Sequence, residues 1–338
     1  MKKFWLGCVA TLTLLVALVG CERSPELVHL NGSTMGTYYS IKYIATENTP
    51  EKAVIQKEID KRLELVNDQM STYRDDSELS RFNQHRADSP VEVSDATAKV
   101  VKEAMRLNAF TDGALDVTVG PLVNLWSFGP EKRPENIPTD EEIAQRMAMT
   151  GLESLSLSGN QLTKTNPDLY VDLSTIAKGY GVDVVADYLA SLGLDNYLVE
   201  IGGELQLKGV NQDGVPWRIA IEKPSAGTQS VQEIIEPGDM AVATSGDYRN
   251  YFEHDGVRYS HIIDPATGRP IHHRLVSVTV LDPSCMTADG LATGFMVLGP
   301  EKAVALANQA NIPAFMVVKT DDGFKEIASE AFKPYLKR

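Results

Sequence analysis

The chain has 338 residues and a formal net charge of −14, with 43% hydrophobic and 23% charged residues. So large an acidic excess disfavours nucleic-acid binding, and any phosphate group that binds requires local compensation such as a metal ion. The hydrophobic content is that of a globular protein, which at this length forms one elaborate domain or two.

The first twenty residues have the anatomy of an export signal. Lys2 and Lys3 precede an almost uncharged apolar run that is short for a membrane span, since a span needs about 20 apolar residues. The run ends in Leu18-Val19-Gly20-Cys21, and small residues leading into a cysteine resemble a bacterial lipobox. That resemblance implies a lipoprotein signal peptide over 1–20 and fatty acylation of Cys21, of the palmitate type. Such a lipid anchor would hold the exported protein on the periplasmic side of the inner or the outer membrane. The alternative is an ordinary signal peptide.

Beyond the signal, residues 21–30 are interpreted as a tether from the lipidated cysteine and residues 31–338 as one folded domain. Gly32–Thr37 is predicted to be a flexible loop that precedes a strand over 37–43, where hydrophobic and polar residues roughly alternate.

The remaining elements mix helices and strands. Hydrophobic spacing and capping residues predict helices at 50–70, 96–110, 139–149, 174–192, from about 287, and at 300–310. Strands are predicted within 152–171, across the strand-rich region 197–280, and at 314–319. Because no regular βαβ alternation is present, we predict an α+β fold with mainly antiparallel sheets and packed helices.

Asp289 and Thr293 are four residues apart, so on a helix they share one face. Their oxygens could then bind one hard cation. The alternative is that Asp289 lies in a first helical turn, where the helix dipole alone favours an acidic residue.

The segment Val171–Gly181 is predicted to be a strand that runs into a helix. Ser174 or Thr175 can cap that helix, and its free N–H groups would form an anion site. Lys178 lies one turn into the helix, where a bound phosphate would offset its charge. A plain cap with a solvated lysine is the alternative.

Two further side chains bear reactive groups. His261 lies just before a tight Asp-Pro-x-x-Gly turn, where a histidine can be an acid, a base or a ligand, although a structural role is also open. Cys285 has no disulfide partner once Cys8 leaves with the signal and Cys21 carries lipid. We interpret Cys285 as a small buried residue.

Several short motifs follow one another in a distinctive order. They are Thr34–Thr37, Met70–Tyr73, Gly113–Pro121, Asp172–Tyr180, Gly202–Glu204, Thr244–Gly246, Ser260–Pro270 and Ala288–Gly294. Together they resemble the ApbE-type FAD:protein FMN transferases, whose fold is related to the T-fold, and the resemblance covers nearly the whole mature chain.

The resemblance implies roles for individual residues. It implies a Mg²⁺ site formed by the Asp289 carboxylate, the Thr293 hydroxyl and the Ala177 carbonyl, with Asp289 also essential for catalysis. Some members carry an acidic residue where this chain has Ala292, which offers no third side-chain ligand. His261 is expected to be the acid–base group. The expected flavin contacts are Met35, Tyr73, Ala114, Leu115, Asp116 and Ile263. The pyrophosphate or adenosine end is expected at Ser174, Lys178 and Tyr180.

The implied reaction is Mg²⁺-dependent transfer of FMN from FAD to a Ser or Thr hydroxyl of an acceptor protein, with release of AMP. The implied partners are FAD and acceptor flavoproteins with an exposed Ser/Thr motif, as in membrane redox complexes. Two alternatives remain at this point. The first is a Mg²⁺-dependent FAD pyrophosphatase that gives FMN and AMP, and the second is a non-catalytic flavin-binding lipoprotein.

Overall fold

The computed structural model describes residues 26–129, 137–222, 231–247 and 250–336. The predicted signal peptide and the first five residues of the predicted tether, which begins at Cys21, lie outside these ranges. Within them, no helix combines the length and apolar character needed to cross a bilayer.

An antiparallel sheet of eight strands forms the centre of the molecule, in the order β1-β2-β6-β7-β10-β15-β16-β17. Three smaller two-stranded ribbons and a three-stranded sheet, β3-β5-β4, surround it in the described part of the chain. The strands of the described residues are β1 Glu26–Thr34, β2 Thr37–Ala45, β3 Val91–Glu92, β4 Leu155–Ser158, β5 Gln161–Lys164, β6 Tyr197–Ile201, β7 Glu204–Lys208, β8 Ile219–Glu222, β9 Val231–Ile235, β10 Ala241–Gly246, β11 Tyr251–His254, β12 Val257–Ser260, β13 Ile263–Asp264, β14 Arg269–Pro270, β15 Leu275–Asp282, β16 Ala314–Thr320 and β17 Gly323–Ala328.

Helices cover one face of the central sheet. The α-helices of the described residues are, in chain order, α1 Lys52–Met70, α2 Glu78–Gln84, α3 Asp95–Phe110, α4 Gly120–Leu125, α5 Asp140–Met147, α6 Ser174–Ser191, α7 Cys285–Leu298 and α8 Pro300–Gln309. α6 packs on β6 and β7, while α7 packs on β10 and β15. The two helices therefore lie side by side over the middle of the sheet, where their side chains build the largest hydrophobic clusters.

The opposite face of the sheet is covered by the β8–β9 ribbon and by aromatic residues near the C-terminus. Trp217, Ile219, Phe315 and Phe332 are buried there together. A separate aromatic cluster joins α4 and α5 to the β11–β12 ribbon. The predicted α+β fold with mainly antiparallel sheets is thus confirmed.

The N-terminal part of the domain differs from the prediction. Residues 26–30, assigned to the tether, belong to β1, and Leu30 is fully buried. β1 pairs with β2 along its whole length, and the predicted flexible loop at 32–37 is instead the end of this hairpin. Met35 and Gly36 form its two-residue turn with φ angles of 49° and 71°, as a tight type I′ connection requires. The tether prediction was wrong here. The sequence of β1 is too polar and irregular to be recognised as a strand, and its pairing with β2 cannot be inferred from the local pattern.

Candidate functional site

Two adjoining cavities open at the N-terminal end of α6. The first chamber has a volume of about 910 Å³ and the second about 1,320 Å³. They share one wall, which consists of Thr37, Tyr38, Tyr73, Asp172, Ser174 and Lys178. An elongated ligand can therefore reach from one chamber into the other across this wall.

The contact between α6 and α7 brings Asp289 to the first chamber. The Gly179 N–H on α6 donates a hydrogen bond of 3.0 Å to Oδ2 of Asp289. A Cβ atom on Gly179 would lie 2.4 Å from the Cys285 carbonyl oxygen and 2.8 Å from the Asp289 Cβ. Only glycine permits this approach, since such short Cβ contacts require the helices to separate.

Asp183 fixes the start of α7 from the neighbouring helix. Its carboxylate accepts hydrogen bonds from the Ser284 hydroxyl at 2.8 Å and from the N–H groups of Cys285 and Met286 at 2.7 and 3.1 Å. These are N–H groups that a helix leaves without an internal partner. Because α7 begins at Cys285, Asp289 lies beyond the first turn, and the dipole explanation for its position weakens. Asp183 is not among the residues predicted from the sequence, although its spacing of four from Gly179 places both on one face of α6.

Lys178 lies between two buried carboxylates. Its ammonium donates to Oε1 of Glu204 at 2.6 Å, and Glu204 is only 4% exposed. Burial alone would lower the pKa of Lys178, but the negative charges of Asp289 and Glu204 outweigh it and raise that pKa. Burial also raises the pKa of Glu204, to about 7, against the opposing effect of Lys178. The protein itself therefore supplies negative charge beside Lys178, which the sequence analysis attributed to a bound phosphate alone.

The prediction that Ser174 or Thr175 caps α6 was wrong. The N-cap position is Leu173, which makes no side-chain cap, and the Ser174 N–H instead donates to the Asp172 carboxylate at 2.9 Å. Ser174 is exposed on the shared wall and Thr175 lines the first chamber. The buried Thr175 hydroxyl oxygen has no hydrogen-bond partner among the described residues.

His261 lies on the wall of the first chamber. Its Nδ1–H donates to the Asn250 carbonyl at 2.9 Å, which leaves Nε2 as the nitrogen with a free lone pair. Phe128 meets the imidazole edge-on, with ring centroids 6.2 Å apart. Burial lowers the pKa of His261, the Asn250 carbonyl raises it, and the nearby Lys178 charge lowers it further, so that the net shift is downward.

Asp116 lies in the first chamber, on the segment that links α3 to α4. It accepts hydrogen bonds from the Thr118 N–H at 2.7 Å and the Thr118 hydroxyl at 2.6 Å. Burial raises the pKa of Asp116, although the hydrogen bonds from Thr118 oppose this change. The two bonds hold the 114–116 segment in one conformation.

The chemistry of the three predicted ligands suits a hard cation, although Ala177 lines a different chamber from Asp289 and Thr293. Asp289 is 6% exposed, and burial raises the pKa of its carboxyl against the effect of Lys178. A cation would compensate the charge that this burial disfavours. The set of one carboxylate, the Thr293 hydroxyl and the Ala177 carbonyl offers only oxygen, as Mg²⁺ prefers. Within the described ranges no cluster of three or more Asp, Glu, His or Cys side chains is arranged around a metal position.

The structure brings most of the predicted site residues to the two chambers but divides them. Met35 and Ala177 line only the second chamber, and the shared wall carries Tyr73, Ser174 and Lys178. Of the predicted site residues, those that line only the first chamber are Ala114, Leu115, Asp116, His261, Ile263, Asp289 and Thr293. The expected flavin contacts are therefore spread over both chambers.

Tyr180 lies apart from this arrangement and lines neither chamber. It lies two positions after Lys178, and on a helix this offset turns its side chain to another face. The ring of Tyr180 lies 5.6 Å from the Lys99 ammonium.

Comparisons with known proteins identify the family of the chain. The family model described as "ApbE family" matches residues 35–316. A Vibrio cholerae protein named FAD:protein FMN transferase is 67% identical over 334 residues, which cover 99% of each chain. A Haemophilus influenzae protein of the same name is 50% identical and 98% of each chain is covered. The solved flavin transferase ApbE from Vibrio cholerae superposes with a TM-score of 0.88 at 68% identity, covering 92% of this chain and all of that one. This chain is a member of the ApbE family.

Proposed function

We propose that the protein transfers the FMN half of FAD to a Ser or Thr hydroxyl of an acceptor protein and releases AMP. The observation that carries the proposal is the pair of chambers with Lys178 on their shared wall. FAD has a ring system at each end and a pyrophosphate between them. One ring system would occupy each chamber, and the pyrophosphate would lie along the wall formed by Lys178 and Ser174.

Asp289, Thr293 and the Ala177 carbonyl would hold Mg²⁺ beside this wall. When bound, the ion neutralises pyrophosphate charge and makes the phosphorus more electrophilic. The chain contributes the Lys178 ammonium, whose charge is maintained by Glu204 and Asp289. Phosphoryl transfer depends chiefly on such positioning and electrostatic compensation.

His261 supplies the proton acceptor in this proposal. The acceptor hydroxyl oxygen bonds to the phosphorus of the FMN half, and the bond from that phosphorus to the bridging oxygen breaks. AMP leaves with the bridging oxygen, while the hydroxyl proton passes to Nε2 of His261. The Asn250 carbonyl favours this use because it fixes the other ring nitrogen as the donor.

The same chambers would also serve an FAD pyrophosphatase, in which water replaces the protein hydroxyl. The fate of FMN distinguishes the two reactions. Transfer gives AMP and protein-bound FMN, whereas the pyrophosphatase gives AMP and free FMN. We predict that with FAD, Mg²⁺ and an acceptor the AMP released equals the FMN bound to protein. An acceptor whose target Thr is replaced by Ala is the control, and it should remain unlabelled. AMP accompanied by free FMN at equal rates with both acceptors would support the pyrophosphatase, and absence of AMP would leave a flavin-binding protein.

The N-terminus would place this activity on a membrane surface. A lipobox ending at Cys21 would anchor the chain on the periplasmic side, close to membrane-bound acceptors. We predict that Cys21→Ala moves the protein from the membrane fraction to the soluble periplasmic fraction, because the acyl chains are lost. Cys285→Ala is the matched control, since Cys285 is fully buried and would not carry lipid. An unchanged membrane fraction for Cys21→Ala would contradict lipidation at this residue.

A further inference from the structure

The central sheet contains an opening beside β10. β10 pairs with β15 along its whole length but with β7 only at Ala241 and Val242. Among the residues that the structure describes, no strand pairs with Thr244–Gly246 on the β7 side. This part of β10 is therefore an internal edge in the middle of the sheet.

The direction of the main-chain groups at this edge follows from one hydrogen bond. The Leu207 N–H donates to the Met240 carbonyl at 3.1 Å, so Met240 turns its carbonyl towards β7. Main-chain groups of an antiparallel strand alternate in direction every residue. Val242, Thr244 and Gly246 therefore direct their N–H and C=O groups to the same side, and Thr244 is exposed.

The β6–β7 turn leaves space beside this edge. Gly202 and Gly203 form the turn with φ angles of 63° and 108°, and both are exposed. A Cβ atom on Gly203 would meet nothing within 4 Å. A Cβ atom on Gly202 would lie 2.9 Å from the Thr37 side chain, so the turn offers room for another stretch of main chain on its Gly203 side.

The opening also connects the two faces of the sheet. The first chamber is lined by Asp289 and Thr293 from the helical face and by Leu198, Leu205 and Ile219 from the opposite face. A polypeptide at the edge would thus lie in the same cavity as the groups proposed for the reaction.

We propose that Thr244–Gly246 is the docking edge for the acceptor protein, which adds an extended segment there as an extra strand. The inference rests on the proposed function and identifies how its protein substrate is held. Main-chain hydrogen bonds supply the affinity in such strand addition, whatever side chains the segment carries. The pairing would present a Ser or Thr hydroxyl of the segment to the first chamber.

The first experiment removes the main-chain N–H of Thr244, which faces the opening. Thr244→Pro deletes the N–H that faces the opening and leaves the ladder to β15 formed by the alternate residues, because proline is tolerated where its nitrogen faces away from a ladder. The substitution also removes the 2.8 Å hydrogen bond between the Thr244 and Thr279 hydroxyls. Thr279→Val is the matched control, since it removes the same bond from the buried partner strand and keeps the edge.

We expect Thr244→Pro to raise KM for the acceptor about tenfold, a loss of about 1.4 kcal/mol, with an unchanged dissociation constant for FAD. Thr279→Val should keep both values within about twofold of the wild type. An unchanged acceptor KM in a folded Thr244→Pro protein would overturn the proposal, as would equal losses in both variants. A loss of FAD affinity as large as the rise in acceptor KM would show that the edge binds FAD, and this result would also overturn the proposal.

A second measurement uses the unmodified enzyme. Short acceptor peptides are N-methylated at one residue at a time and tested as competitors of transfer. Strand addition predicts that methylation at alternate residues weakens competition and that methylation between them does not. A uniform effect along the peptide would contradict strand addition. Absence of any transfer by the wild type would instead refute the proposed function, and this inference with it.

Discussion

His261 has the two properties that a proton acceptor needs near neutral pH. Its tautomer is set by the Asn250 carbonyl, and burial holds its pKa below the ordinary value of 6.5. The neutral ring therefore persists to lower pH than in a free histidine. We predict that kcat/KM for transfer falls on acidification and that the midpoint of the His261-dependent fall lies below 6.5. A pH–rate profile from pH 5 to 8 measures this midpoint.

Phe128 provides the control for the cause of that shift. Its ring packs edge-on against the imidazole, so we expect Phe128→Ala to increase the hydration of His261 and move the midpoint upward towards 6.5. A wild-type midpoint above 6.5 would show that His261 does not control the profile. A midpoint that Phe128→Ala leaves in place would show that Phe128 does not cause the shift.

At the scale of residues, the sequence indicates which chemical groups are available but not what surrounds them. His261 was predicted as an acid–base group from its type and motif. Asn250 and Phe128, which set its tautomer and its burial, approach it only in the folded chain. Glu204 is a similar case, because its ion pair with Lys178 joins positions 26 residues apart.

Among the elements, the contact of α6 with α7 determines the geometry of the proposed metal site. Gly179→Ala would place a methyl group against the Cys285 carbonyl and the Asp289 Cβ. We predict that the variant is destabilised by about 1–3 kcal/mol, as is usual when a packed contact is overfilled. Urea unfolding measures this change, and the dependence of transfer on Mg²⁺ concentration should shift to higher values because Asp289 is displaced.

Gly181→Ala is the matched control on the same helix. The closest atom to its added Cβ would be the flexible end of the Met35 side chain, at 2.8 Å. Alanine also favours a helix over glycine by about 1 kcal/mol. We therefore expect little loss of stability from Gly181→Ala. Equal destabilisation by both substitutions would show that helix approach is not the determining feature at Gly179.

Element prediction from the sequence works where periodicity is long. α1, α3 and α6 begin and end within two residues of their predicted bounds. The short helices α2 and α4 span only 7 and 6 residues and leave too few repeats of the helical period to be recognised. β1 was missed because its pairing with β2, rather than its own alternation, makes it a strand.

On the scale of the whole molecule, strand order decides how the site is built. β10 lies between β7 and β15, although other strands separate all three along the chain, and β15 pairs with β16, although two helices separate them. Local patterns contain no information on such pairings, because each strand is compatible with many partners. The division of the site into two chambers and the opening beside Thr244 both follow from this order. They could not be predicted from the sequence, whereas the α+β class could.

The reaction proposed for this protein moves FMN from FAD to an acceptor protein. The most direct test is the intact mass of a candidate acceptor after incubation with FAD, Mg²⁺ and the soluble form of this protein that begins after Cys21. We predict a gain of one FMN moiety, and no gain with EDTA or with Asp289→Ala. An acceptor that keeps its mass in the complete reaction, while FAD is split to AMP and free FMN, would contradict the account.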